Sequence, residues 1–156
     1  MKNKMIISTC LVLGLFVWAC GGSDSEQQQN VASTETEEPA RKDDKKGIGS
    51  IKNVELTHPL NQTMVGDGEK VYNLKCSACH RLTKEKLVGP GWKEVTHRRK
   101  PEWIMNFSTN AEEMLSKDAT AMALLEECLV RMPNQNLTEA DSRNVLEFMR
   151  SNDGEK

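Results

Sequence analysis

The stretch "CSACH", Cys76 to His80, constrains this 156-residue chain more than any other part of it. Two thiols three positions apart, with an imidazole directly behind the second, suit three chemistries: a zinc site, a redox-active dithiol, or the thioether attachment of a haem. A zinc site needs four ligands, usually two C-x-x-C pairs or a matched histidine pair. The sequence has no second pair, so Cys128 and His97 would have to be recruited at unusual spacing. A thioredoxin-like dithiol belongs in strand and helix alternation, and no segment here reads convincingly as a strand. For haem attachment the spacing has a physical reason. Cysteines at i and i+3 share one side of a helical turn, so both sulfurs reach the two vinyl groups on one porphyrin edge, and His80 can swing beneath the metal.

The N-terminus decides the compartment in which this motif would work. Lys2 and Lys4 precede an apolar run from Ile6 to Ala19. That run is shorter than the roughly 20 residues of a membrane span, so residues 1–19 read as an export signal. Val17, Trp18, Ala19 and Cys20 resemble the lipobox of bacterial lipoproteins, with Trp18 a departure where a small residue is usual. The resemblance implies cleavage before Cys20 and lipidation of its thiol, and several acyl chains would anchor the protein, each buried methylene contributing about 0.8 kcal/mol. Residues 20–55, rich in Gly, Ser, Gln, Glu and Lys, lack the apolar surface to offset ordering entropy and read as a flexible tether spanning about 30 Å. The folded domain is expected at 56–156. With Cys10 in the signal and Cys20 lipidated, the exported part keeps Cys76, Cys79 and Cys128, an odd number that argues against a disulfide framework. Export also places the motif where a bare C-x-x-C would oxidise, which weakens zinc further.

Composition agrees with one soluble domain: 37% of residues are hydrophobic and 28% charged. The formal net charge of −2 gives no argument for nucleic acid.

Further along, three segments occur in the order found in a known family. "GDGEKVYNLKCSACH" looks like an N-terminal helix with Gly68 and Tyr72 at small and aromatic positions, leading into the attachment motif. "LVGPGW" (residues 87–92) and "VRMPNQNLTEAD" follow it. Over about residues 64–151 the chain resembles the small single-haem class I cytochromes c. The resemblance implies an all-α fold in which N- and C-terminal helices cross, with further helices around one covalent haem c. It assigns Cys76 and Cys79 to the vinyl groups, His80 to the iron, the Pro90 carbonyl to a hydrogen bond with His80, and Met132 to the sixth coordination position.

The residues support this on their own terms. Thr138 is a plausible N-cap, with Glu139 and Asp141 in the first turn where carboxylates favour the helix dipole. Val145, Phe148 and Met149 then form a helical stripe expected to pack beside Gly68 and Tyr72. Pro101 suits a helix start, Trp103 and Phe107 fall four apart, and Met122, Leu125 and Leu129 repeat at helical spacing. Trp103 and Phe107 either cover a haem face or pack as ordinary core. Of six exported methionines, Met132 stands apart because Pro133 removes it from regular helix, whereas methionine on a helix face is usually gap-filling core. His58 and His97 are alternative ligands, otherwise exposed loop residues, and Cys128 reads as a small buried side chain.

Charge is unevenly spread. Residues 70–100 hold nine basic side chains against two acids, a balance of +7, and residues 101–130 hold six acids against Lys117, a balance of −5. The basic side carries the attachment motif and would steer the domain onto an acidic partner. With His80 and Met132 on iron no site is open to substrate, so the expected role is a one-electron carrier, not an enzyme. It would work on the periplasmic side of a membrane, between a quinol-oxidising donor and an exported reductase or oxidase. "RKPEWIMNF" and "CLVRMPNQNLT" also look like segments of cytochrome c lipoproteins that accompany nitrous oxide reductase. A haem-based gas or redox sensor in which Met132 is displaced is the alternative; a peroxidase would need a catalytic partner residue that is not evident.

Overall fold

The computed structural model describes residues 45–156, all within one compact unit. The signal segment, Cys20 and most of the expected tether lie outside the described residues. Among the described residues six α-helices follow one another: α1 (Gln62–Val71), α2 (Val95–Arg98), α3 (Pro101–Thr109), α4 (Ala111–Lys117), α5 (Ala119–Cys128) and α6 (Glu139–Asn152). Among the described residues the only extended pairing is a single bridge between His80 and Lys86. The fold is all-α, and none of these helices is long and apolar enough to cross a membrane.

Helices α1 and α6 cross at their backbones. A Cβ on Gly68 would stand 2.1 Å from the Asn144 carbonyl oxygen and 2.8 Å from Phe148 Cβ, so only glycine permits the approach. Beside the crossing, the Tyr72 ring lies 5.5 Å from Phe148 and 5.0 Å from Trp92, and Val145 and Met149 are buried. Both helices start where side chains satisfy their first amides. Asn61 accepts from the Met64 amide. Thr138 and Asp141 form a reciprocal capping box, each side chain accepting from the other's backbone N–H.

Helix α3 supplies the other wall of the core. Pro101 occupies its first turn, where a missing N–H costs nothing. Trp103 Nε1 donates to Asp118 at 3.1 Å, and Asp118 also caps α5 through the Ala121 amide, so one carboxylate joins α3 to the start of α5. The Phe107 ring stacks 5.1 Å from Trp103. Ser108 and Ser142 share a hydrogen bond of 2.6 Å that ties α3 to α6.

Two expectations need correction. The domain begins by residue 46, not at 56. Buried Asn106 accepts from the Ile51 amide at 3.1 Å and donates to the Lys46 and Ile51 carbonyls at 3.0 and 2.9 Å, while Ile51 enters the core. Two isoleucines in a polar stretch and one buried asparagine suffice to dock this strap. The expected apolar stripe of α5 is also different. Met122 is exposed, and so is Leu129, at 84%, because α5 stops at Cys128 and Leu129 turns into a left-handed conformation (φ 61°). Leu125 of the stripe does pack against the core, joined there by Leu124.

The second half of the strap is held by a buried carboxylate. Glu147 accepts from Thr57 Oγ1 at 2.7 Å and the Asn61 amide at 3.0 Å through one oxygen. Its other oxygen accepts from Arg143 at 2.6 Å and Arg150 at 2.9 Å. Burial alone would raise this carboxyl, but the bonds from Thr57, Arg143, Asn61 and Arg150 outweigh it and hold the pKa down at about 2, against an ordinary 4.5. A carboxylate depressed by folding contributes stability that is complete above its unfolded pKa and lost as pH falls toward the folded value. The haem-loaded protein should therefore lose stability between about pH 4.5 and pH 2. Glu147→Gln should flatten that part of the acid profile and cost about 3 kcal/mol at pH 7, because Arg150 loses a buried counter-charge. Urea midpoints measured across pH test both expectations.

Candidate functional site

The site begins where α1 ends. Its last turn runs into a π-helical turn, Tyr72–Cys76, in which the Ser77 amide donates to the Tyr72 carbonyl at 2.9 Å. The wider turn lies next to a functional motif, a common place for one. The chain then tightens, and the Cys76 carbonyl accepts from both the Cys79 and His80 amides, at 3.0 and 2.9 Å. Tyr72 Oη donates to the His80 carbonyl at 2.8 Å, anchoring the far end of the motif to the helix crossing.

His80 is fixed from two sides. Its Nδ1 stands 2.9 Å from the Pro90 carbonyl oxygen, which can only accept, so the proton sits on Nδ1 and Nε2 keeps its lone pair. Burial lowers the His80 pKa and the bond to Pro90 opposes it, the net direction being down, which favours the neutral imidazole that a metal requires. The loop that brings Pro90 here turns on glycines. A Cβ on Gly89 would meet His80 Cε1 at 2.4 Å, and one on Gly91 the Thr83 carbonyl oxygen at 2.2 Å. Trp92, buried, closes the back of the imidazole at 5.5 Å.

These groups open into a predominantly apolar cleft. Cys76, Cys79 and His80 form one wall and Met132 lies in the wall formed by the segment between α5 and α6. Phe107 and Leu115 reach the cleft from α3 and α4, whereas Trp103 sits one layer behind Phe107. Burial, with a smaller contribution from Cys79 and against the pull of Lys75, pushes the Cys76 thiol up to about 11. Burial thus favours the neutral thiol. Among the described residues no three His, Cys, Asp or Glu side chains gather as a metal cluster.

The structure brings Cys76, Cys79, His80, Pro90 and Met132 to one cavity. It does not bring the alternative ligands there: His58 lies beside Arg150 and His97 is exposed on α2. Cys128, expected in the core, is half-buried and lines the cleft as a free thiol. Leu125, from the helical repeat in α5, also lines it, as do Leu124, Val88 and Val130, which the sequence does not mark out. The signal that could have found them is apolar side chains placed just after the attachment motif and just before Met132.

An apolar cleft with two thiols at one edge, an imidazole with a free Nε2 and a thioether fits a covalently held haem. Helices crossing at a glycine around such a cleft define a haem-binding electron-transfer protein. Comparison agrees: the family model for cytochrome c matches residues 65–153, and the chain belongs to the cytochrome c family. Cytochrome c from Rhodothermus marinus is similar at 33% identity and a TM-score of 0.65, over 67% of this chain and 90% of that one. An engineered form of that cytochrome bound to a carbene intermediate is similar at 33% identity and a TM-score of 0.62, with the same coverage. No curated protein matches the chain. The protein is thus a haem electron carrier with covalently bound c-type haem.

The contact of Gly89 with the His80 ring yields a direct test. Gly89→Ala should displace the imidazole and break its bond to Pro90, changing the optical spectrum of the haem-loaded protein while the helical circular dichroism remains.

Proposed function

We propose that the chain is an exported, lipid-anchored shuttle in which His80 and Met132 are the two axial ligands of the haem iron. The observation that carries this reading is the shared cleft: the His80 imidazole, with Nε2 unprotonated, and the Met132 thioether line the same apolar cavity. Bound haem supplies a one-electron couple at its iron. Cys76 and Cys79 hold the group against loss by dilution, which suits an exported protein. His80 is oriented by Pro90, and Met132, a soft thioether, favours the reduced state and raises the potential. With both axial positions occupied by side chains, the protein leaves no site for substrate.

Partner choice follows from the rim of the cleft. Lys75 and Arg131 line it, Lys86 stands nearby, and Val88 and Val130 expose apolar surface at the same place. Apolar contact ringed by positive charge suits an acidic face on a redox partner. We assign the electron source to a quinol-oxidising membrane enzyme and the acceptor to an exported reductase or oxidase, nitrous oxide reductase being the leading acceptor on the resemblance of "RKPEWIMNF" and "CLVRMPNQNLT" to its companion cytochromes. Lipid on Cys20 keeps the carrier at the periplasmic surface of the membrane.

Optical spectroscopy tests the ligand pair. The ferric protein should show a methionine-to-iron charge-transfer band that Met132→Ala abolishes; a five-coordinate spectrum in the unmodified protein would instead support a ligand-binding sensor. The anchor is tested by fractionation, with Cys20→Ser expected to move the protein from membrane to soluble fraction. That soluble form should exchange electrons with nitrous oxide reductase more slowly as salt rises, and a flat dependence rejects docking by charge.

A further inference from the structure

The two walls of the cleft are held together unequally. On the attachment side, Trp92 donates to the Arg81 carbonyl, Gly89 to Cys79 and Tyr72 to His80, so motif and proline loop form one hydrogen-bonded body. On the opposite side, among the described residues, no backbone-to-backbone hydrogen bond involves positions 130–137. Side-chain bonds within this segment are local, Gln135 to the Pro133 carbonyl and the Asn136 amide to Asn134. Leu137, buried, anchors its far end, and Met132, partly buried, packs against the core.

Two lysines cross the gap. Lys75 Nζ, from the residue before Cys76, donates to the Gln135 carbonyl at 2.8 Å. Lys86 Nζ, from the loop between His80 and Pro90, donates to the Glu127 carbonyl at 2.9 Å. Glu127 lies in the last turn of α5, where carbonyls lack helical partners and a cation is favoured by the dipole. The acceptors flank Met132 on both sides in sequence, and both donors sit on the rigid wall.

We propose that Lys75 and Lys86 are positioning residues that clasp the Met132 segment across the cleft, setting how firmly the thioether stays in place and how readily a small ligand enters. This rests on the reading of Met132 as the distal ligand. The clasp acts on the segment alone, because both lysines are exposed and outside the core.

Imidazole is a suitable probe, being predominantly neutral at pH 8, so that loss of an ammonium does not change its attraction to the site. The ferric, haem-loaded protein is titrated with imidazole optically, alongside Lys75→Met, Lys86→Met, the double variant, both lysine-to-arginine variants and Met132→Ala. Methionine keeps the aliphatic stem and removes the donor. Each single Lys→Met change should tighten imidazole binding about threefold and the double change about tenfold, in line with loss of exposed charged hydrogen bonds. Arginine, which retains a donor, should stay near the unmodified protein. Urea midpoints should hold within error, and limited trypsin cleavage after Arg131, within the segment, should quicken. A double variant that binds imidazole like the unmodified protein overturns the clasp, as does a gain matched by an equal loss of global stability. Unmodified protein that already binds as tightly as Met132→Ala overturns the ligand reading itself, whatever the lysines do.

Discussion

The rest of the structure depends on the backbone contact of α1 and α6 at Gly68. The absence of a Cβ there lets Phe148 and Asn144 approach, and the closeness sets the height at which Tyr72 leaves α1. From that height Tyr72 touches Trp92 with its ring and the His80 carbonyl with its hydroxyl. Trp92 in turn backs the imidazole. One small residue therefore fixes a chain of contacts that ends at the His80 imidazole, twelve positions later in sequence.

The cleft built on this frame is asymmetric. Its attachment wall is assembled from a helix end, a π-helical turn and a glycine-hinged loop, each hydrogen-bonded to the next. Its other wall is a short helix and an irregular segment whose side chains supply most of the contact with the cavity. Such a division suits a covalently tethered haem: the attachment side must be placed accurately for the two sulfurs, whereas Met132, on a flexible unbranched side chain, fills its place in the other wall from a looser backbone.

The parts legible in the sequence were those carried by local chemistry. "CSACH" declares its spacing, Thr138 and Asp141 declare a cap, Gly68 and Phe148 fit a crossing, and Met132 next to Pro133 stands outside any helix. What could not be read depends on long-range pairing. Asn106 and Glu147 look like ordinary surface residues on helices, because nothing local shows that their partners lie 55 to 90 positions away. The strap at 46–55 reads as tether for the same reason: its composition is polar, and its two isoleucines matter only once α3 and α4 offer somewhere to bury them. Leu129 misled the helical pattern because a left-handed cap, normally marked by glycine, is taken here by leucine.

Those two buried polar residues also explain how a sparsely apolar strap finds one position. Ile51 and Leu60 bury surface, but apolar contact is non-directional and a strap held by it alone could slide along the groove. Asn106 accepts from and donates to the backbone of the same residue, Ile51, a pairing that a shift of one position would break. Glu147 then gathers Thr57, Asn61, Arg143 and Arg150 around one carboxylate, leaving neither of its oxygens without a donor. A buried ion pair is weak evidence for net stability, since desolvation offsets much of the attraction. What the arrangement does contribute is register: a misplaced strap would leave a charge and an amide unpaired in the interior, costing more than the slide would recover. The entry of the chain into α1, and hence the helix crossing, is set by polar groups whose partners are specific where the isoleucines are not.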